Sequence, residues 1–270
     1  MPLFHLILIA LIQGVTEFLP VSSSGHLVLL PGLTGLQDQG LVIDVAAHVG
    51  TLFAVALYFW KDVKIGLLGL PRLARGKVDT QGAFLALCLI TATLPVILAG
   101  LVFKITGLAD ALRSVTVIGW TMLGFGVLLY IADQRGPVTR DSTRWRLRDA
   151  AVMGLYQVLA LIPGTSRSGI TITGARFLGY DRSSAAKLAM LMSIPTIAAS
   201  GLLAGLDLIG GDIPLRDAAI VAGLSFVAAL AALALMMRLL QSVSYTPYVL
   251  YRIALGLVLL VLGYSGAITL

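Results

Sequence analysis

Two short stretches of this 270-residue sequence, residues 13–26 and 163–173, hold polar side chains whose types and spacing suit phosphate chemistry. Gln13 and Glu17 are four apart, so a helix carries them on one face, one turn from each other. An ionised Glu17 inside lipid costs on the order of 2.5–3.5 kcal/mol, so a basic partner or a cation is expected beside it. A hard divalent cation, Mg2+ or Ca2+, suits oxygen ligands from Gln13 and Glu17 together with a phosphate. The loop Val21-Ser22-Ser23-Ser24-Gly25 leads into a helix at His26 and brings together hydroxyls, backbone N–H groups and the positive end of a helix dipole. That arrangement suits an anion, although ordinary N-capping by Ser22 or Ser24 would use the same hydroxyls without a ligand. His26 follows Ser23 by three residues, which makes it a candidate base for that hydroxyl or a candidate nucleophile at phosphorus.

The second stretch, Pro163-Gly164-Thr165-Ser166-Arg167-Ser168-Gly169, repeats the hydroxyl-rich plan and adds an arginine. An Arg at membrane depth needs an anionic partner, and its planar fork grips phosphate oxygens in pairs. Ser166, Ser168 and Gly169 would complete the phosphate cradle. Thr171 and Thr173 extend it unless they only bond their own helix backbone. The competing structural reading is an Arg167–Glu17 ion pair with no ligand, which a swap of the two charges would preserve. His5 reads as interfacial, His48 as a helix-end residue, and the lone Cys88 as packing filler.

These clusters must be carried by elements that live in lipid. With 58% apolar and 12% charged residues and a mean hydropathy of +0.97, the chain is far too apolar for a soluble domain of this length. One Cys excludes a disulfide framework. The net charge of +6 does not point to nucleic acid, because the basic residues bracket hydrophobic spans instead of forming one stripe. No Lys or Arg precedes the first apolar run, so a cleaved signal peptide is not expected. Six apolar segments are long enough to span, roughly 17–25 residues each: about 41–60, 82–103, 114–132, 184–206, 217–237 and 249–268.

Two further apolar stretches are broken by Ser, Gly and Pro at 20–25 and 163–169, and both read as re-entrant hairpins. After Pro20, the run from His26 to Leu30 meets Pro31-Gly32, where a helix is expected to stop. Residues 3–19 alone could just reach across instead. The connection 61–81 carries Lys61, Lys64, Arg72, Arg75 and Lys77, and the connection 133–149 carries Arg135, Arg140, Arg144, Arg146 and Arg148. With Arg238 and Arg252 these twelve share one side, expected to be cytoplasmic, so both termini face outward. The other side holds Lys104, Arg113 and Arg216, with Asp207, Asp212 and Asp217 nearby.

Leu11, Gln13, Ser22, Ser24 and Gly25 recur 144 residues later as Leu155, Gln157, Ser166, Ser168 and Gly169. A hairpin plus three spans places the second copy upside down. The expected fold is therefore an all-α polytopic membrane protein of six transmembrane helices and two re-entrant helical hairpins, an inverted-topology repeat. It forms one integral membrane domain, 1–270, with halves of approximately 1–135 and 136–270.

Gln-Gly-Val-Thr-Glu-Phe-Leu-Pro-Val-Ser-Ser-Ser-Gly-His at 13–26 and Pro-Gly-Thr-Ser-Arg-Ser-Gly-Ile-Thr at 163–171 resemble the two signature motifs of the bacterial undecaprenyl-diphosphate phosphatases, or bacitracin-resistance proteins. The resemblance covers the whole chain. It implies hydrolysis of undecaprenyl diphosphate to the monophosphate and inorganic phosphate in the bacterial plasma membrane, with a divalent cation, recycling the lipid carrier for peptidoglycan synthesis. It also implies metal or acid–base work for Glu17, nucleophilic attack or its activation for Ser23 and His26, and phosphate holding for Arg167, Ser166 and Thr171. Gln13 stands where many members have Glu, and one fewer charge weakens its place as a metal ligand.

Transport of a lipid phosphate without hydrolysis is the alternative that the broken-helix plan leaves open. Whether two copies pair as a homodimer is also open. Ser24-Gly25-His26 and Ser166-Arg167 echo the type-2 phosphatidic-acid phosphatases as well. That family needs a second His after the Ser-Arg pair, and no His occurs beyond His48.

Overall fold

A computed structural model describes residues 1–35, 39–206 and 214–268, so Asp207 and Asp212 of the charge pattern lie outside the described residues. Among the described residues the chain is all-helical, with an isolated bridge between Arg140 and Tyr180 as its one β-type pairing. The first half runs α1 (Leu3–Thr16), α2 (Ser23–Thr34), α3 (Gly40–Tyr58), α4 (Trp60–Ala74), α5 (Gln81–Thr106), the one-turn α6 (Leu108–Ala111) and α7 (Val115–Arg135). The second half runs α8 (Leu147–Val158), α9 (Arg167–Phe177), α10 (Arg182–Leu206), α11 (Leu215–Leu239) and α12 (Thr246–Tyr264). Six of these helices, α3, α5, α7, α10, α11 and α12, are long and apolar enough to cross a membrane. They coincide with the six expected segments to within a few residues at each end. A helix of α1's 14 residues is about 21 Å long, short of a hydrocarbon core of about 30 Å.

The connection 61–81 is mostly helix: α4 turns small residues toward α5, with Gly69 against Gly82, and leaves Trp60, Leu67 and Leu68 exposed among its lysines and arginines. An amphipathic helix of this kind suits a membrane surface and carries too many charges to register as a span. One expectation is corrected here: α2 does not stop at Pro31. Proline's fixed φ is helical, and the helix continues to Thr34 before Gly35 ends it in the left-handed region at φ 69°.

Small residues set the closest helix contacts, as they do where lipid provides no hydrophobic drive between helices. A Cβ on Gly154 of α8 would lie 2.6 Å from the Ala92 carbonyl oxygen of α5, and one on Gly14 of α1 would lie 2.6 Å from the Ala228 Cβ of α11. Polar contacts lock the end of the bundle where α7, α9, α10 and α12 meet. Buried Asp133 accepts from Arg182 Nε at 2.8 Å and from the Tyr245 N–H at 3.1 Å, with Arg176 Nε 3.3 Å away. Asp149 accepts from the Tyr180 hydroxyl at 2.7 Å and from Arg140 at 3.1 Å. Burial, then the neighbouring Asp149, push the Tyr180 phenol above its ordinary range, so it stays a proton donor. These clamps hold the C-terminal end of α9, where Arg176 lies.

Candidate active site

The chain leaves α1 at Glu17 and re-enters helix at Ser23, and it leaves the 3-10 turn after α8 (Leu159–Leu161) and re-enters helix at Arg167. The residue before each re-entry is a serine in a backbone region that favours glycine: Ser22 at φ 73° and ψ 94°, Ser166 at φ 70° and ψ 113°. Each serine hydroxyl caps its helix, Ser22 Oγ accepting from the Gly25 N–H at 3.3 Å and Ser166 Oγ from the Gly169 N–H at 3.1 Å. Two helix N-termini, α2 and α9, thereby open onto neighbouring loops. Ser168 Oγ joins those loops by donating to the Leu19 carbonyl at 3.0 Å.

Glu17 lies at the junction, 7% exposed. Arg167 donates from Nη2 to Glu17 Oε1. The other carboxylate oxygen, Oε2, accepts from Ser23 Oγ at 2.8 Å and from Gln13 Nε2 at 2.8 Å, and His48 Nε2 stands 3.8 Å from it. The helical spacing of Gln13 and Glu17 thus gives a direct contact, and residues 150 positions apart in the chain form an ion pair. A cavity of about 230 Å³ opens beside them, lined by Gln13, Ser23, Ser24, Leu27, Asp44 and His48 among others.

His26 is arranged differently from a base for Ser23. Its Nδ1 donates to the Ser22 carbonyl at 2.6 Å, so in the neutral ring Nε2 accepts from the Tyr251 hydroxyl at 2.6 Å. With both ring nitrogens engaged, the Ser23 hydroxyl donates its hydrogen bond to Glu17 and not to His26. The threonines back-bond: Thr171 donates to the Arg167 and Ser168 carbonyls at 2.8 and 3.1 Å, and Thr173 to the Gly169 carbonyl at 2.7 Å. Thr171 can therefore offer a phosphate only an acceptor oxygen unless its proton turns away from the backbone. Ser24 is exposed, while Gly25, Ser168 and Gly169 are buried in the first turns of α2 and α9. His5 is 2% exposed, packed inside the bundle, and His48 sits midway along α3, not at a helix end.

Arg252 is the residue whose role the sequence concealed. Counted with the charges that flank a turn, it is instead fully buried in α12. Its guanidinium donates to five carbonyls: Pro20 at 3.3 Å, Gly164 at 3.2 Å, Thr165 at 2.9 Å, Thr121 at 3.4 Å and Met122 at 3.2 Å. Both serine loops and α7 are thereby tied to one cation, the partnership with backbone that an intramembrane Arg requires. An Arg inside an otherwise apolar span was the available signal. Arg252→Leu is expected to cost about 3 kcal/mol or more, because several buried acceptors lose their donor, and Arg252→Lys to recover only part of it. Thermal unfolding in detergent, followed alongside activity, checks this; an unchanged midpoint for Arg252→Leu would contradict the tie.

The model for bacitracin resistance protein BacA matches residues 6–258. The chain is 70% identical over 267 residues to an undecaprenyl-diphosphatase of Roseobacter denitrificans, covering 98% of this chain and 100% of the relative. It is 66% identical over 267 residues to one of Ruegeria pomeroyi, with the same coverage. Similarity extends to one of Maricaulis maris at 46% over 266 residues, covering 97% of this chain and 99% of that one.

Proposed function

The chain belongs to the bacitracin resistance protein BacA family, and from that premise we propose that it is a multi-pass bacterial membrane enzyme hydrolysing undecaprenyl diphosphate to undecaprenyl phosphate and inorganic phosphate. In that role it recycles the lipid carrier for peptidoglycan synthesis and confers bacitracin resistance. The observation that carries the reading is the meeting of Glu17 with Arg167 at the mouths of α2 and α9. Phosphoryl transfer demands placement and neutralisation of spread negative charge, which a guanidinium and two helix N-termini provide.

Arg167 exchanges its hold on Glu17 for the diphosphate oxygens, and the freed carboxylate serves as base. Ser23 Oγ, 2.8 Å from Glu17 Oε2, attacks the distal phosphorus and its proton passes to Glu17. The bond to the bridging oxygen breaks and the lipid monophosphate leaves; water then releases inorganic phosphate from Ser23. A water in the place of Ser23 would give the same products in one step. His26 holds the first turn of α2 against Tyr251 and acts on position. For a cation the residues fit: Gln13 Oε1, beside the carboxylate, is a buried acceptor without a hydrogen-bond partner. Mg2+ or Ca2+ held by Glu17 and Gln13 would supply further neutralisation of the diphosphate. One chain furnishes both clusters.

The same reading makes α1 with α2 and α8 with α9 two re-entrant hairpins, within halves of about 1–135 and 136–270 in inverted repeat. Support comes from register: helices start at Leu3 and Leu147, and again at Ser23 and Arg167, 144 residues apart in each case, as are the caps Ser22 and Ser166. With Arg252 withdrawn from the loop charges, eleven basic residues still mark the cytoplasmic side, and both termini face outward. The first hairpin then enters from outside and the second from the cytoplasm.

Purified full-length chain in detergent micelles is expected to release phosphate from a polyprenyl diphosphate. Glu17→Ala and Arg167→Ala are each expected to lose about 10²-fold or more. Chelator should silence the wild type, and added Mg2+ or Ca2+ should restore it. An intact substrate would favour transport of a lipid phosphate, and full activity in excess chelator would remove the cation.

A further inference from the structure

His48 has no part in the reaction as drawn, yet it is the one imidazole facing the Glu17 carboxylate among the described residues. Its Nδ1 donates to the Asp44 carbonyl one turn earlier at 2.8 Å, which leaves Nε2 carrying the lone pair in the neutral ring. That lone pair stands 3.8 Å from Glu17 Oε2, too far for a hydrogen bond. Two electron-rich atoms in that relation repel unless a cation lies between them, and donors sharing one cation sit on the order of 3–4 Å apart. Gln13 lines the same cavity and keeps Oε1 buried with no hydrogen-bond partner, a second acceptor awaiting a positive centre. Arg167 engages the opposite carboxylate oxygen, Oε1, so a cation on this side would share Oε2 with the Ser23 hydroxyl and the Gln13 amide N–H alone. The His48 side chain is 37% exposed and the cavity admits a hydrated ion.

We infer that His48 Nε2 is a nitrogen ligand for the divalent cation, completing with the Glu17 carboxylate and the Gln13 amide oxygen a mixed nitrogen–oxygen site. This rests on the cation assigned under the proposed function and adds its coordination chemistry. An imidazole ligand draws the site away from Ca2+, which takes oxygen ligands, toward first-row ions such as Mn2+. The ring is already held for this role, because the Asp44 carbonyl fixes its tautomer and orientation. His26 cannot substitute, since both its nitrogens are engaged.

The test uses Mn2+ bound to the full chain in detergent micelles and pulsed electron paramagnetic resonance, which reads nitrogen coupled to the metal without reference to turnover. Wild type is expected to show one imidazole coupling that shifts when the histidines carry nitrogen-15, a measurement needing no substitution. His48→Leu is expected to lose the coupling and bind Mn2+ at least about tenfold more weakly, the least that loss of even an outer-shell partner costs. Mn2+ binding that depends on Glu17 but shows no nitrogen coupling would overturn the His48 ligand and leave the cation in place, as for a protonated His48 paired with Glu17. Coupling that survives in His48→Leu would also overturn it. Absence of any Mn2+ binding would remove the ligand and the cation together.

Discussion

Arg167→Lys is expected to keep the positive charge and lose about 10²–10³-fold in turnover, the cost of one misplaced donor at a developing anion. Lysine presents a point charge on a flexible stem, whereas the guanidinium presents a planar fork matched to two phosphate oxygens. Arg167 is the first residue of α9, directly after a serine held at φ 70° and bonded through its hydroxyl to the Gly169 N–H, so the origin of the fork is fixed. A lysine there would still reach Glu17, and the folded state would change little. Phosphate release measured against thermal stability separates the two effects. Near-normal turnover would mean that charge alone suffices and that no clamp exists.

The double substitution Glu17→Arg with Arg167→Glu sets the enzyme reading against the structural one. If the pair only neutralises two buried charges, reversing them preserves the interaction, and function survives with the fold. In the enzyme reading the acid must sit beside Ser23 and the guanidinium at the mouth of α9, so exchange puts a carboxylate where the diphosphate must bind and strips Ser23 of its base. The expected loss is about 10³-fold or more, of the size seen when a transition-state arginine is removed. Each single substitution should destabilise more than the double, because each leaves two like charges together. Activity retained in the double variant would reduce the site to a strut.

The six long helices were legible because continuous apolar length is the strongest signal a membrane imposes. So were the two clusters, since Glu17 and Arg167 have no business in such segments without partners. What escaped depended on direction and distance. The three-residue spacing of Ser23 and His26 suggests a dyad, but the His26 ring turns back to the carbonyl four residues earlier and its far nitrogen meets Tyr251 on another helix. His48 faces Glu17 across an interface that no spacing reveals. Arg252 reads as a loop charge and α4 as a charged connection, because charge alone does not show what packs around them.

Ser22 and Ser166 hold a conformation in which a side chain is strained by about 1–3 kcal/mol, while exchanging a serine cap for glycine forfeits only a few tenths. Ser22→Gly and Ser166→Gly should therefore raise the unfolding temperature of the purified protein, and an unchanged or lowered midpoint would show the backbone to be at ease. A laboratory search for heat-tolerant versions would be drawn to these two codons first. It would harvest robustness by loosening the very turns that aim the acid and the guanidinium at each other, so hardier descendants should be slower ones.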